Sequence, residues 1–390
     1  MSLRIEIDRS RPLHLGAERG HNRWHPDLAA VASVEPGEEV TFEVRDSRDR
    51  QIGPGSDHDD LLGVPDVAHP LTGPLEVRGA EPGDLLELEV LGYETDDFGW
   101  TAIWPGSGFL GDLFDRPFLA RWELAGGVAR SEQVPGVAVP ACVHAGVIGV
   151  APSRELLATA REREAELGAA PSAELPSTAR QREAVLGAAS PPERGRRAPV
   201  NPPSPEHAWP PEAAEGLRTY PPRENGGNVD IRDLGPGARL WLPVHVPGAL
   251  LSVGDLHFAQ GDGEVCISAI ETGGAASFRV GLRRPEAGGW RPRFPCYEAP
   301  PRPPRAMFAT TGIPLDDDGR QGHLDLNLAT RRALLELLAW LEQEHGLPTE
   351  AAYVLMSVAA ELRVSELVDA PNALVSAALP LDVFEEDERP

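Results

Sequence analysis

A chain of 390 residues with a net charge of -25 and a pI near 4.8 can bury a sizeable core, but it offers no basic face to nucleic acid or to an anionic membrane. All 36 of its Lys and Arg positions are arginine. Serine–lysine amidase triads, Glu-Lys-Cys sites and carbamylated-lysine bridges are therefore excluded, because each needs an amine that a permanently protonated guanidinium cannot replace.

Cys142, Cys266 and Cys296 form an odd set without metal-type spacing and read as reduced thiols. With no apolar leader-like segment after Met1 and no apolar run of bilayer length, the chain reads as soluble and cytoplasmic, acting on a small neutral substrate.

In chain order, residues 1–152 read as β-rich, with strands expected at Glu39–Arg45, Leu75–Arg78, Leu85–Leu91 and Val143–Val150, separated by Gly and Pro. Pro-Gly turns recur before strands at Pro36-Gly37, Pro82-Gly83 and Pro236-Gly237, which hints at a repeated β-unit. The polar tract from Gln51 to Asp60 reads as a solvated loop. From Ser153 the pattern turns helical through Leu167, then becomes Ala-, Pro- and Glu-rich to about Tyr220; residues 153–219 read as an insertion serving as a lid or an oligomer contact.

The C-terminal part, 220–390, opens on Pro222-Arg223-Glu224-Asn225-Gly226-Gly227-Asn228-Val229-Asp230, where glycines permit close backbone approach and Glu224, Asn228 and Asp230 supply oxygen atoms. A strand at Arg239–Val246 follows. Leu251–Phe258 is expected to be a second strand, with Asp255 and His257 on one face and Ser252 and Leu256 on the other. Gly261-Asp262-Gly263 would reverse the chain and Glu264 would begin the return strand. Helices are expected at Asn327–His345, stopped by Gly346, and from Thr349, as cap, to about Leu362, before a strand over Ala373–Phe384. The fold class is mainly β (α+β): a large β-sandwich or barrel-like assembly with a C-terminal helical hairpin, in all one domain.

A carboxylate, an imidazole and two further carboxylates in one hairpin suit either a divalent cation or a shared proton. The plainer alternatives are that Asp262 bonds its own turn and that His257 is a packed core residue.

The stretches Gly254-Asp255-Leu256-His257-Phe258-Ala259-Gln260-Gly261-Asp262-Gly263-Glu264 and Pro221 to Asp230 resemble the paired signature of the acetamidase/formamidase family, closest to its formamidase branch. His21-Asn22-Arg23-Trp24-His25-Pro26, His69-Pro70-Leu71-Thr72-Gly73-Pro74, Glu81 to Asp84 and Pro371-Asn372-Ala373 extend the likeness over most of the chain. The resemblance implies hydrolysis of short aliphatic amides, formamide or acetamide, by a homo-oligomer without an organic cofactor. It points to Asp255 and His257, with Asp46 or Asp230, as holders of a divalent metal, zinc or calcium. Glu224, Asp262 or Glu264 would then handle the proton, and His21, His25 and His69 also match family positions. A metal-free route through an acid or Cys266 stays open. So do a non-catalytic protein with a structural cation and a carboxylate-pair glycosidase.

Overall fold

The computed structural model describes residues 2–13, 17–64, 69–169, 216–286 and 289–385, so of the expected insertion only the helix Arg154–Ala169 and the segment from 216 onward are described. The protein is mostly β. A six-stranded sheet runs in the order Leu3–Ile5, Glu39–Val44, Gly274–Arg283, Leu85–Thr95, Arg239–Pro243, Cys296–Glu298. A larger sheet of eleven strands runs from Val134–Pro140 through Val128–Ser131, Phe118–Ala125, Phe98–Ile103 and Glu271–Thr272 to Leu251–His257, His144–Gly149 and Gly226–Asn228. Leu71–Val77 joins it on the same side of Leu251–His257 as Glu271–Thr272, nearer the start of that strand, and carries Gly20–His21 and Ala32–Val34. Both sheets draw strands from either side of residue 153.

The sheets pack through alternation. In Leu85–Thr95, Leu86, Leu88 and Val90 are buried in the layer between the sheets, where they meet Phe42, Leu240, Leu242, Phe278 and Val280. Glu87 and Glu89 point the other way and bond Trp241 and Arg279. Each fully buried Leu, Val or Phe contributes roughly 1.5–3 kcal/mol, so this layer is the main source of stability for the strands beneath the site.

A second apolar core lies where two helices cover the outer strands of the large sheet. Leu326–His345 buries Ala329, Ala333, Leu334, Leu337, Leu338 and Leu341 at helical spacing. Asp325 caps its start by accepting from Leu328 N at 3.0 Å, and Gly346 ends it at φ 64°. The next helix, Thr349–Ala359, is buried through Ala351–Ala359. Thr349 does not cap it: the cap position falls on Pro348, and the Thr349 hydroxyl donates to Glu342 instead. This helix stops before Leu362 because Glu361–Glu366 enters a three-stranded sheet with Met307–Gly312 and Leu374–Pro380. Among the described residues no helix is long and apolar enough to cross a membrane.

The hairpin expected after His257 takes a different form. Glu264 begins no strand; residues 258–270 loop across the second core, and the chain returns at Glu271–Thr272, with Glu271 opposite His257. The strand Leu251–His257 is buried at all seven positions, since it has neighbours on both edges and packed layers on both faces.

Candidate active site

The site forms where Leu251–His257 pairs antiparallel with His144–Gly149. Asp255 adopts φ 57°, a left-handed conformation uncommon for a non-glycine residue. With that turn, Leu256 faces the inter-sheet core while Asp255 and His257 face a common polar space. Opposite them the neighbouring strand carries Gly146, where a Cβ would lie 2.6 Å from Asp230 Oδ1, 2.7 Å from His257 Cε1 and 2.8 Å from Asp255 Oδ2. Only a bare backbone leaves room for those three side chains. The Gly146 carbonyl in turn accepts from Val229 N and Asp230 N, bringing the Asn225–Asp230 turn to the cluster.

His257 Nε2 lies 3.4 Å from Asp255 Oδ1 and 3.5 Å from Glu271 Oε1, and His69 Nε2 lies 3.6 Å from Asp255 Oδ2. On the other side of the ring, His257 Nδ1 is 2.8 Å from Gln260 Oε1. Gln260 Nε2 donates to the Asp230 carbonyl at 3.0 Å, which turns the amide oxygen toward the ring; Nδ1 must then carry the proton, leaving Nε2 to face the acids. His144 stacks edge-on to His257 at 5.1 Å and reaches the same Gln260 oxygen at 2.9 Å.

Electrostatically the cluster is acid-rich. Burial pushes Asp230 up to about 7 and Asp255 up to about 6, and burial with the neighbouring Asp230 holds Glu264 well above its ordinary range. Burial opposes a charged His257, but Glu271 and Asp255 outweigh it and raise the imidazole well above 6.5. Burial likewise opposes an ionised Glu271, and the His257 charge overcomes it, bringing Glu271 down to about 2. One ion pair and three acids that resist ionisation therefore share the space.

The donor set fits a cation. One ligand atom from each of Asp230, Asp255 and His257 lies within 4.8 Å of the others, and the same is true of His257, Glu264 and Glu271. Asp230 Oδ1, Asp255 Oδ1, His257 Nε2 and Glu271 Oε2 are buried and, among the described residues, have no hydrogen-bond partner. Four carboxylates around so few positive groups need protons or a cation to balance them.

Of the residues singled out from the sequence, Asp230, Asp255, His257 and Glu264 come together here. Asp46 does not join them. Its Oδ1 accepts from Arg48 N at 2.8 Å and its Oδ2 from Arg50 N at 3.1 Å, so it fixes the turn beside the site. Glu224 also stands apart, on the wall of a separate groove, where its Oε1 accepts from Arg163 Nη1 at 2.7 Å and lies 3.7 Å from Arg293 Nη2. Asp262 turns outward, accepting from Leu362 N at 3.0 Å with Arg232 Nη1 at 3.6 Å. Cys266 is buried among Ala102, Ser268 and Ser357, and burial pushes its thiol up to about 11, a setting for an inert side chain. Of the family-matched histidines, His69 reaches the cluster, whereas His21 bonds Ser252 Oγ at 2.8 Å and His25 accepts from Asp27 N.

Glu271, Gln260 and His144 are the additions that sequence order did not disclose. For Glu271 a signal exists: it is the sole charged residue between Val265 and Phe278, in a run that is otherwise apolar, small or hydroxylic. The polar space is a cavity of about 50 Å³ whose lining includes Arg48, His69, Trp100, Trp104, Tyr220, Asn228, Asp255, Glu264, Ile267 and Glu271.

Comparison with known proteins gives concordant results. The sequence matches the Acetamidase/Formamidase family over residues 6–386. It is 36% identical to a formamidase of Methylophilus methylotrophus, over 95% of this chain and 90% of that protein, and 35% identical to an acetamidase of Mycolicibacterium smegmatis, over 90% and 88%. Among solved structures, a γ-lactamase from Delftia acidovorans superposes with a TM-score of 0.84 at 32% identity, covering 100% of this chain and 95% of that one.

Proposed function

Because this chain belongs to the acetamidase/formamidase family, we propose how its cluster divides the work of amide hydrolysis. The protein is an amidohydrolase that converts short linear amides to carboxylate and ammonia. An amide is a poor electrophile with a poor leaving group, so the site must activate water, polarise the carbonyl and protonate the departing nitrogen.

Asp230, Asp255 and His257 would hold a divalent cation, zinc or calcium. When bound, zinc would lower the pKa of a water to about 7, and either ion would polarise a carbonyl oxygen. His257 presents Nε2 to the cluster because Gln260 holds its Nδ1 proton; ligation would use the neutral ring, and without a cation Glu271 on the next strand stabilises the charged ring instead. Glu264, on the cavity wall, would take a proton from water and return it to nitrogen in the ionised form that a neighbouring cation favours. The observation that carries this reading is the set of orphaned buried ligand atoms on Asp230, Asp255, His257 and Glu271, of which Asp255 and Glu271 line a cavity of about 50 Å³. By the rule that a water needs roughly 10–15 Å³, that space takes about four small groups, which favours formamide and acetamide over longer amides.

Opening of a γ-lactam is a second reading, favoured by the structural likeness to the γ-lactamase, though the small cavity disfavours a ring substrate. The cytoplasm and a homo-oligomeric assembly complete the proposal. Ammonia release from formamide, measured with metal content before and after chelation, tests it. Activity that falls with loss of metal and returns with zinc or calcium is expected. Activity indifferent to chelation would require the metal-free route, and absence of ammonia release would leave γ-lactam opening, which frees no ammonia, or a structural cation.

A further inference from the structure

Resting on the amide-hydrolysis reading, we propose that Arg48, Trp104 and Tyr220 form a size filter over the acid cluster, limiting the acyl group to one or two carbons. All three line the cavity that holds Asp255, Glu264 and Glu271, and each is half-buried, with one side toward solvent. The Arg48 guanidinium carbon sits 4.8 Å from the Trp104 ring centroid and 5.9 Å from that of Tyr220, and Nη1 donates to the Tyr220 hydroxyl at 2.8 Å. A planar cation thus bars the space between two rings, engaging one through its face and the other through both ring and hydroxyl.

The bar is fixed from behind at each post. The Arg48 backbone N–H is held by Asp46 Oδ1 at 2.8 Å, which gives that buried acid its role. Trp104 donates Nε1 to the Leu61 carbonyl at 3.3 Å and meets Trp100 edge-on at 6.1 Å. Tyr220 packs edge-on to His69 at 5.0 Å, and His69 in turn contacts Asp255. A longer acyl chain would have to displace the guanidinium from its ring and hydroxyl partners, whereas formamide, with three heavy atoms, and acetamide, with four, fit the space of about 50 Å³ as it stands. The residues of the filter touch the far end of the substrate and leave the reacting atoms to the acids, so they set selectivity.

The test compares kcat/KM for formamide, acetamide and butyramide in the full chain and in Tyr220→Ala, Trp104→Ala and Tyr220→Phe. One methylene in a fitted apolar space is worth roughly 10–200-fold, so the butyramide-to-formamide ratio should rise at least about tenfold in either alanine variant. Tyr220→Phe, which keeps the ring and removes only the hydroxyl that anchors Arg48, should raise it by a smaller factor and keeps the test open if truncation unfolds the chain. A ratio unchanged within about twofold in every folded variant, including uniform loss on all three amides, overturns the filter. A wild-type protein that turns over none of the three overturns the amide reading and the filter together, which keeps the two failures distinct.

Discussion

His257 meets two demands at once: its Nδ1 is committed to Gln260, and its Nε2 faces Asp255 and Glu271. Removing either member of the central pair should therefore disable chemistry without unfolding the sheet. His257→Ala and Asp255→Asn are each expected to lower formamide turnover by about 10²–10⁴-fold while circular dichroism remains that of the wild type. Loss of bound metal in both would identify them as ligands, whereas retained metal with a displaced pH–rate profile would make them proton handlers. Near-normal turnover in both would transfer the chemistry to Glu264 and Glu271.

A different histidine contributes to pH-dependent stability. Burial holds His21 down at about 4, against 6.5 when exposed. As pH falls the unfolded chain takes up that proton first, so the contribution of His21 is full above pH 6.5 and is lost progressively toward pH 4, on the order of 3 kcal/mol. Asp46 and Asp49, raised by burial to about 7 and about 6, act in the opposite direction, because their ionisation is disfavoured in the folded state as pH rises. The histidine effect is therefore read as a difference: between pH 7.5 and 5, His21→Gln should lose less stability in urea denaturation than the wild type. Equal losses would contradict it.

At the scale of elements, the pairing of two central strands leaves room for the site only because one of them has no side chain at Gly146. Gly146→Ala should place a methyl within 3 Å of three site residues and cost about a hundredfold in formamide turnover, as displacement of a reacting group by about 1 Å does, with the fold intact by circular dichroism. Unaltered turnover would show that the cluster has slack.

Strand pairing also explains what was legible in the sequence. The strand expected at Leu85–Leu91 and the helix expected at Asn327–His345 could be read because burial imposes a period of two or of 3.6 on their residues. Asp255 and His257 were legible as charges inside an apolar run. Glu271 stood out in the same way as a lone charge, but its place opposite His257 did not, since that depends on pairing register across a loop of more than ten residues, which composition does not encode. Glu224 and Asp262 lie in the right stretches but face away, because turn geometry at Gly226, Gly227 and Gly263 decides direction. Asp46 was read as a ligand, yet its oxygens serve backbone N–H groups.

For the whole molecule, a charge of -25 opposes self-association at long range, while Trp290 and Phe294, 61% and 57% exposed, offer apolar contact area at short range. A homo-oligomer should therefore be tightened by salt, since the Debye length falls from about 10 Å at 0.1 M to about 3 Å at 1 M. Light scattering at micromolar concentration is expected to give a mass above that of one chain, increasing with ionic strength; a monomer throughout would exclude assembly.

The site residues His69, Asp230, Asp255, Glu264 and Glu271 are spread over two hundred positions, and they meet only through strands paired across both halves of the chain. Loop-closure entropy must be overcome for each such pairing before the next gains from it, so non-local sheets of this kind are slow to form. The catalytic cavity is accordingly among the last features to exist during folding, and a nascent or refolding chain should recover tryptophan burial and helix content before its first turnover.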